Sequence, residues 1–496
     1  MRLIPHWIGG KHATDEPERT GPVFNPATGD QTAQVALAST AEVDAAIAAA
    51  RDAYPGWRDT PVTRRQKILF DFRNLVVEHG DELAATLSAE HGKTLGDAQG
   101  ELARGLEVIE FACGIPHLIK GDYSENVSRN VDTYTIRQPL GVVAGITPFN
   151  FPLMVPMWMY PIAIAAGNTF VLKPSEKDPS TSNMVAELWS EAGLPDGVFN
   201  VVHGDKVAVD RILEHPDVAA VSFVGSTPVA KYIYATGTAA GKRVQALAGA
   251  KNHMIVLPDA DMELAADSAV SAAYGSAGER CMAISVVVAV GKAGDELIGR
   301  ITDRIETLDI GPGDRAADMG PLITRQHRDR VASYVDIGLE EGAELVVDGR
   351  ELTVEGFENG FFFGPTLFDK VSPDMTVYRD EIFGPVLSVV RASTFEEAID
   401  IINANPWGNG TAVFTNDGGA ARKFQNEIEV GMVGINLPIP VPLGFYSFGG
   451  WKQSIFGTHS VYGPEGISFY TRPKVVISRW PEPIHRGVDL GFPEHG

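Results

Sequence analysis

The stretch VAAVSFVGSTP, residues 218–228, joins a short apolar run to the start of a helix. Residues 218–224 are mostly small or branched apolar residues, which is typical of a strand buried on both faces of a sheet. Gly225 allows a tight turn, Ser226 suits a helix N-cap and Pro228 falls at an early helical position. The stretch therefore predicts a strand, a turn and a helix in succession, the repeating unit of a parallel α/β sheet.

The same alternation continues on both sides of this unit. Further buried strands are predicted at 141–147, 169–173 and 198–204, and after residue 251 a second series begins with HMIVL, SVVVAV, ELVVDG, PVLSVVRA and TAVFTN. Amphipathic helices are predicted at 39–57, within 63–93 (two helices) and at 94–114, and a strand with one wet face at 128–139. The pattern predicts an α/β protein with two doubly wound domains and a small strand element.

The composition argues against several classes of protein. The chain has 496 residues, of which 44% are hydrophobic and 21% charged, as in a soluble enzyme of two or three domains. Its net charge of −23 disfavours nucleic acid and acidic membrane surfaces as partners. Cys113 and Cys281 form no metal-binding or disulfide pattern, and the most apolar stretch, 154–167, is interrupted by prolines. With no signal or transit sequence at the start, we expect a cytoplasmic enzyme without a metal site.

Polar residues follow several of the predicted strands, where ligands of parallel sheets bind. The turn at Ser226 offers backbone N–H groups to a phosphate. Lys173 and Glu176 suit the hydroxyls of a ribose, and a carboxylate there would repel a 2′-phosphate, which favours NAD over NADP. Asn150 stands between two prolines, and its amide could donate to an oxyanion. Each motif alone also fits an ordinary turn or a surface ion pair.

Cys281 lies in SAGERCMAIS, residues 276–285, directly after Arg280. The thiolate is the reactive form of cysteine, and a neighbouring positive charge favours it. The alternative is a buried structural cysteine.

Five motifs in order, PFNFP, GNTFVLKPSE, FVGST, GERC and EIFGPV, resemble the aldehyde dehydrogenase superfamily from Trp7 to about Trp480. ITPFNFPLMVP, LAGAKNHMIV, GERCMAIS and LPIPVPLGFYSFGGWKQS resemble its methylmalonate-semialdehyde branch, which acylates coenzyme A. The resemblance implies an NAD-binding domain (1–125 and 141–250) and a catalytic domain (251–440). It also implies a bridging element (126–140 and 441–496) that joins subunits into a homodimer or homotetramer.

The resemblance also implies roles for individual residues. Cys281 is the nucleophile, and the Asn150 amide with the Cys281 N–H holds the resulting alkoxide. Arg104 and Arg280 hold the substrate carboxylate, although Arg104 could instead pair with Glu101, Glu107 or Glu110 on its own helix. The cofactor-binding positions are Thr147, Phe149, Lys173, Glu176, Lys177, Ser226, Glu381 and Phe383.

Two positions depart from the pattern of many relatives. Ala230 replaces a second glycine of the phosphate turn. Leu247, in LAGAK, replaces the glutamate that activates water in hydrolytic relatives, so the general base for hydrolysis is missing. We therefore expect NAD-dependent oxidation of malonate or methylmalonate semialdehyde, loss of CO2 and transfer to coenzyme A, giving acetyl- or propionyl-coenzyme A. The alternatives are a hydrolytic aldehyde dehydrogenase that releases a free acid, and an inactive NAD-binding scaffold.

Overall fold

The structure is a computed structural model that describes residues 1–480. Its strands, in chain order, are β1 Arg2–Ile4, β2 Trp7–Ile8, β3 Lys11–His12, β4 Thr20–Phe24, β5 Gln31–Ala36, β6 Tyr123–Ser128, β7 Val131–Pro139, β8 Val142–Ile146, β9 Thr169–Lys173, β10 Phe199–Val201, β11 Val218–Val224, β12 Arg243–Leu247, β13 Asn252–Val256, β14 Ile284–Val290, β15 Glu344–Val347, β16 Thr366–Asp369, β17 Val386–Ala392, β18 Trp407–Gly408, β19 Gly410–Phe414, β20 Met432–Ile435, β21 Trp451–Lys452, β22 Ile455–Phe456 and β23 Thr471–Arg479.

The α-helices are α1 Thr40–Asp59, α2 Val62–Glu78, α3 Gly80–His91, α4 Leu95–Cys113, α5 Ile115–Leu118, α6 Met154–Ala165, α7 Ser180–Glu191, α8 Lys206–Glu214, α9 Thr227–Ala239, α10 Met262–Tyr274, α11 Ala293–Ile305, α12 Arg325–Glu340, α13 Thr376–Arg379, α14 Phe395–Ala404, α15 Gly418–Glu427 and α16 Gly463–Phe469. This mixture of helices and largely parallel sheets agrees with the α/β fold class predicted from the sequence.

The unit at 218–228 folds as predicted, since β11 leads through a two-residue turn into α9. Ser226 occupies the N-cap and Pro228 the first turn, but the Ser226 side chain makes no capping hydrogen bond. Ala230 is fully buried in this helix. Its methyl group therefore fits inside the packing of α9 against the sheet.

The first large sheet has the strand order β22-β12-β11-β8-β9-β10-β2-β3 and is parallel from β12 to β10. Along β9, Phe170 and Leu172 face one apolar cluster and Val171 faces another, on the opposite side of the sheet. Both faces are therefore covered, which is why these strands appear in the sequence as continuous apolar runs.

The second large sheet has the order β15-β16-β17-β14-β13-β19-β20, and all its pairs are parallel except β15 with β16. It has its own apolar cluster, packed by α10, α11 and α14 among others. The two doubly wound sheets were predicted from the alternating apolar runs. The domain limits by residue number stay a prediction.

Three small sheets complete the described fold, with orders β1-β5-β4, β18-β21 and β23-β7-β6. The first was not predicted, because only a few residues of this polar N-terminal region are buried. The strand predicted at 128–139 begins at Val131, after a turn in which Asn130 has a φ of +59°. Of the predicted bridging element, residues 481–496 lie outside the described residues.

The apolar stretch at 154–167 forms α6, and every residue of this 12-residue helix is buried in the protein core. In the part of the chain that the structure describes, we find no helix with the length and apolar character needed to cross a membrane.

Candidate active site

The carboxyl ends of strands in the first large sheet face the amino ends of strands in the second large sheet. In the first sheet, β12, β11, β8 and β9 are neighbours, so the turns after their carboxyl ends lie along one edge. The second sheet contributes the segments that precede its strands: Cys281 lies just before β14, and residues 380–385 precede β17. These segments enclose one cavity, and Cys281 also borders a second cavity whose wall comes mainly from α4, α6 and residues 439–448.

The larger cavity has a volume of about 560 Å³, and Cys281 and Asn150 lie in its wall. Five of the eight predicted cofactor positions also line it: Phe149, Lys177, Ser226, Glu381 and Phe383. Sequence reasoning did not find several other lining residues, among them Thr227, His327, Arg330 and Trp407.

The other three predicted cofactor positions, Thr147, Lys173 and Glu176, do not line this cavity. Thr147 donates its N–H to the Lys173 carbonyl at 3.1 Å, across neighbouring strands. Lys173 is buried, and its Nζ lies 3.2 Å from Glu176 Oε2. The ion pair weighed in the sequence analysis is thus present, although its lysine is not on the surface. Lys177 Nζ stands 4.4 Å from the centre of the Phe149 ring, which brings this cation to the cavity wall.

The smaller cavity has a volume of about 260 Å³ and contains both predicted carboxylate-binding residues, Arg104 and Arg280. Cys281 lines this cavity as well as the larger one. The remaining wall is largely apolar, from Phe151, Met154, Trp158, Met282, Ile439, Val441 and Phe448. The thiol therefore stands between a large cavity and a small one.

Both arginines already have partners. Arg104 pairs with Glu107 on the same helix, at 3.0 Å, and donates to the Val441 carbonyl at 2.8 Å. Arg280 pairs with Asp97. The intrahelical pair considered for Arg104 is therefore formed, and the same side chain also lines the small cavity.

Burial and, to a smaller extent, the carboxyl group of Glu381 raise the pKa of the Cys281 thiol to about 12. The backbone N–H groups of Cys281 and Met282, and the charge of Arg280, act in the opposite direction but more weakly. We expected Arg280 to favour the thiolate. Arg280 acts in the expected direction, but burial outweighs its charge, and Arg280 is also paired with Asp97.

Two asparagines hold the backbone of Cys281. Asn252 Nδ2 donates to the Cys281 carbonyl at 2.9 Å and to the Ala283 carbonyl at 3.0 Å. Asn409 Nδ2 donates to the same Cys281 carbonyl at 3.2 Å. Neither residue was singled out in the sequence, where Asn409 stands 128 positions from Cys281.

Asn150 is buried, and its side-chain amide has no hydrogen-bond partner among residues 1–480. It is therefore free to donate to a bound group.

Leu247 ends β12 and is buried among apolar side chains, while its carbonyl accepts from Gly225 N–H at 3.1 Å. It provides no proton acceptor at the position of the missing glutamate. Glu381, in the neighbouring segment, accepts a hydrogen bond from Ala250 N–H at 2.8 Å, and burial raises its pKa to about 7.

A buried histidine and a carboxyl group connect the Cys281 segment, residues 276–281, to the segment at 381–384. His327 Nε2 lies 2.6 Å from the Phe383 carbonyl and 3.5 Å from Glu279 Oε1. Burial lowers the pKa of His327 to about 4 and raises that of Glu279 to about 8. At neutral pH the imidazole is therefore uncharged, and its N–H donates to Phe383 O.

The same two segments also touch through their backbones. Gly278 has a φ of +72°, and a Cβ on it would lie 2.2 Å from the Gly384 carbonyl oxygen. Ser276 and Ala277 also have positive φ angles, both 52°. No side chain fits between the two segments at this contact.

Among residues 1–480, no three histidine, cysteine or acidic side chains are grouped as a metal site would require.

Comparison with known proteins identifies the family. The profile of the aldehyde dehydrogenase family matches residues 12–476. A malonate-semialdehyde dehydrogenase of Pseudomonas aeruginosa is 55% identical over 496 residues, covering 99% of this chain and 100% of that protein. Malonate-semialdehyde dehydrogenase 2 of Geobacillus kaustophilus is 50% identical over 482 residues, covering 97% of this chain and 99% of that protein.

Solved structures agree with these relatives. The methylmalonate-semialdehyde dehydrogenase of Oceanimonas doudoroffii is 55% identical with a TM-score of 0.96, covering 97% of this chain and 99% of that chain. A structure from Sinorhizobium meliloti, solved in complex with NAD, is 53% identical with a TM-score of 0.96. The match covers 98% of this chain and 99% of that chain. The resemblance predicted from the motifs is confirmed. The chain belongs to the aldehyde dehydrogenase family.

Proposed function

We propose that the protein oxidises malonate or methylmalonate semialdehyde with NAD and transfers the decarboxylated acyl group to coenzyme A. One observation carries the proposal: Cys281 stands between a large cavity and a small cavity that contains two arginines. The names of the relatives at 50–55% identity support the same substrate class.

The small cavity suits an aldehyde that carries a carboxylate. Three cationic side chains, Lys93, Arg104 and Arg280, and two carboxylates, Asp97 and Glu101, contribute to its wall. A substrate carboxylate would share the arginines with their present partners and leave the aldehyde carbon near the Cys281 thiol. The apolar remainder of the wall excludes water from the acyl group.

The large cavity suits NAD. The start of α9 presents backbone N–H groups to a pyrophosphate, and Lys177 adds a positive charge. A Cβ on Gly249 would lie 2.8 Å from Thr227 Oγ1, so this part of the wall depends on glycine to stay open. We assign Lys173 and Glu176 to the ribose hydroxyls, and Glu381 and Phe383 to the nicotinamide end. When bound, NAD would accept the hydride of the oxidised aldehyde.

Cys281 would act as a thiolate that adds to the aldehyde carbon. Because burial holds the thiol protonated in the free protein, its proton must pass to solvent when the substrate binds. The aldehyde oxygen becomes an alkoxide, which would accept hydrogen bonds from the Asn150 amide and the Cys281 N–H. Loss of hydride from the former aldehyde carbon leaves a thioester on Cys281.

The thioester makes decarboxylation possible. Its carbonyl is β to the substrate carboxylate, so the electron pair of the breaking carbon–CO2 bond can move onto the thioester oxygen. The same donors that hold the alkoxide would hold this enolate, and a solvent proton then completes the acyl carbon. Attack by the coenzyme A thiol releases the Cys281 thiolate and gives acetyl- or propionyl-coenzyme A.

Leu247 favours coenzyme A over water as the final acceptor. Water needs a general base to attack a thioester, whereas a thiolate is already a good nucleophile. The side chain at this position is a leucine in an apolar cluster. The hydrolytic alternative would therefore require a base elsewhere in the site.

We also propose that the protein forms a homodimer or homotetramer. The sheet β23-β7-β6 carries large apolar side chains that are exposed in the single chain, including Tyr123, Val475 and Ile477, the last at 70% exposure. An exposed apolar patch of this kind is typical of a subunit interface.

A product assay tests the reaction. With either semialdehyde and no coenzyme A, we expect a burst of about one NADH per active site followed by a slow steady state. Coenzyme A should raise the steady rate, leave the burst unchanged and appear in the product as a thioester. Rapid burst-free turnover to free acid without coenzyme A would replace this proposal with the hydrolytic one.

A further inference from the structure

Lys93 is fully buried, which is unusual for a lysine. Its Nζ lies 2.7 Å from Oε2 of Glu101, and both side chains are completely inaccessible. The free energy lost by removing two charges from water usually offsets their attraction, so a buried pair is weak evidence for a role in stability. Both groups contribute to the wall of the small cavity, but no step of the reaction proposed above uses either of them.

The other polar contacts of the pair lead to the turn between β8 and α6. Lys93 Nζ donates to the backbone carbonyl of Asn150 at 2.7 Å. Glu101 Oε1 accepts from the N–H groups of Leu153 and Met154, at 2.8 Å and 2.9 Å. Two charged side chains therefore hold the backbone of this turn at three points.

Both side chains line the small cavity, but their polar atoms are already engaged. Besides its two hydrogen bonds, Lys93 Nζ lies 4.4 Å from the centre of the Phe151 ring. Both oxygens of Glu101 accept hydrogen bonds from the chain itself. The pair therefore faces the turn rather than a substrate.

We propose that Lys93 and Glu101 are positioning residues that hold the Asn150 amide where the alkoxide forms. This inference rests on the proposed function, in which Asn150 is an oxyanion donor. No hydrogen bond within the described chain orients that amide, so its backbone and packing must do so. Small displacements of such a donor reduce the rate strongly, because its benefit depends on geometry set before the reaction.

A double-mutant cycle on the rate constant of the NADH burst tests the inference. Asn150→Ala should lower this constant by about 10²- to 10³-fold, as the loss of one oxyanion donor does. Lys93→Met should lower it by about tenfold, with KM changed less than about twofold. In the Asn150→Ala background, Lys93→Met should cost less than about twofold, because no donor remains to be positioned.

A second variant allows for poor folding of Lys93→Met, which leaves a buried carboxylate without its partner. The combination Lys93→Met with Glu101→Gln removes both charges and keeps an acceptor for the two N–H groups. It should show the same loss and the same dependence on Asn150.

The matched control is Arg391→Met, which breaks a partly buried pair with Asp369 in the second sheet. Arg391→Met should leave the rate constant of the NADH burst unchanged. Alkylation of Cys281 by iodoacetamide and quenching of tryptophan fluorescence by NAD should be unchanged in every variant, because neither depends on the oxyanion donor.

The possible failures are distinguishable. An equal loss with and without Asn150 would show a general packing role and overturn the inference, while the role of Asn150 would stand. If Asn150→Ala itself left the burst unchanged, the oxyanion assignment would fail and the positioning role with it.

Discussion

Cys113 and Cys281 resemble each other chemically and differ in what surrounds them. Burial raises the pKa of each thiol to about 12. Both carbonyls are also held by side-chain amides, that of Cys113 by Gln66 Nε2 at 2.7 Å. By protonation state alone, the two cysteines are equally unreactive in the free protein.

Each cysteine even has an arginine nearby that pairs with a carboxylate. The pair close to Cys113 is Arg73 with Glu110, at 2.7 Å, and the pair close to Cys281 is Arg280 with Asp97. In both cases the arginine lowers the pKa of the thiol less than burial raises it. A positive neighbour is therefore not what distinguishes a nucleophile in this chain.

The difference lies in access. Cys281 borders the large and the small cavity, whereas Cys113 ends α4 inside the apolar core and lines neither. A cofactor and a substrate can reach Cys281 from two sides. This position between two cavities, which only the folded chain provides, is what supports Cys281 as the proposed nucleophile.

The largest expected effect separates the two cysteines directly. Cys281→Ala should lower the rate of NADH formation by at least about 10³-fold and leave NAD binding largely intact, because only the attacking atom is lost. Cys113→Ala should leave the rate within about twofold and lower the free energy of unfolding by about 1 kcal/mol, since it opens a small core space. NADH production and thermal unfolding measure both. Retained turnover in Cys281→Ala would disprove the mechanism.

The next effect compares the two arginines that line the small cavity with the arginine near Cys113. Arg280→Leu and Arg104→Leu should each lower kcat/KM for the semialdehyde by about 10- to 100-fold, the cost of losing a charged hydrogen bond. The rate with propionaldehyde, which has no carboxylate, should change much less. Arg73→Leu, next to Cys113, is the matched control and should change neither rate. Equal losses with both aldehydes would show that the arginines stabilise the structure and do not bind the substrate carboxylate.

A third effect concerns pH and is smaller for a change of one pH unit. With a thiol pKa of about 12, the thiolate fraction of Cys281 should rise about tenfold per pH unit from pH 7 to pH 10. The rate of iodoacetamide alkylation of the free protein, measured by mass spectrometry, should rise with that slope. Cys113 should show the same slope at a lower rate, because no cavity reaches it. A plateau for Cys281 below pH 9 would mean that its thiol is already activated.

The smallest expected effect lies at the far end of the cofactor site. Glu176→Gln should reduce the preference for NAD over NADP by about fivefold, because it removes a charge that repels a 2′-phosphate. The ratio of kcat/KM for the two cofactors measures this. Glu187→Gln, an exposed position on α7, should leave the ratio unchanged. Equal use of both cofactors by the unmodified protein would show that Glu176 does not face the ribose.

The sequence was sufficient to predict those elements whose structure depends on residues close to one another in the chain. The strand, turn and helix at 218–228 and most buried strands of both sheets follow from local periodicity and turn residues, although β12, β16 and β20 were not predicted. The N-terminal sheet β1-β5-β4 was missed, because its burial depends on contacts that this polar segment does not reveal.

The sequence predicted some of the residues that line the two cavities, but not the charged partners of these residues. The partner of Arg280 is Asp97, 183 positions away, so the sequence could not show that its charge is offset. The same holds for Asn409, which holds the Cys281 carbonyl. Lys93 and Glu101 are eight residues apart, but their burial, and thus their significance, appears only after folding.

The contact between Gly278 and Gly384 limits how this scaffold can be re-engineered. The two segments meet backbone to backbone, so libraries that randomise either glycine will mostly yield misassembled sites. In chimeras between relatives, residues 276–281 and 381–384 should both come from the same parent protein. Variation toward other aldehydes is better directed at the apolar wall of the small cavity, where Trp158, Met154 and Phe448 can change size without separating the two segments.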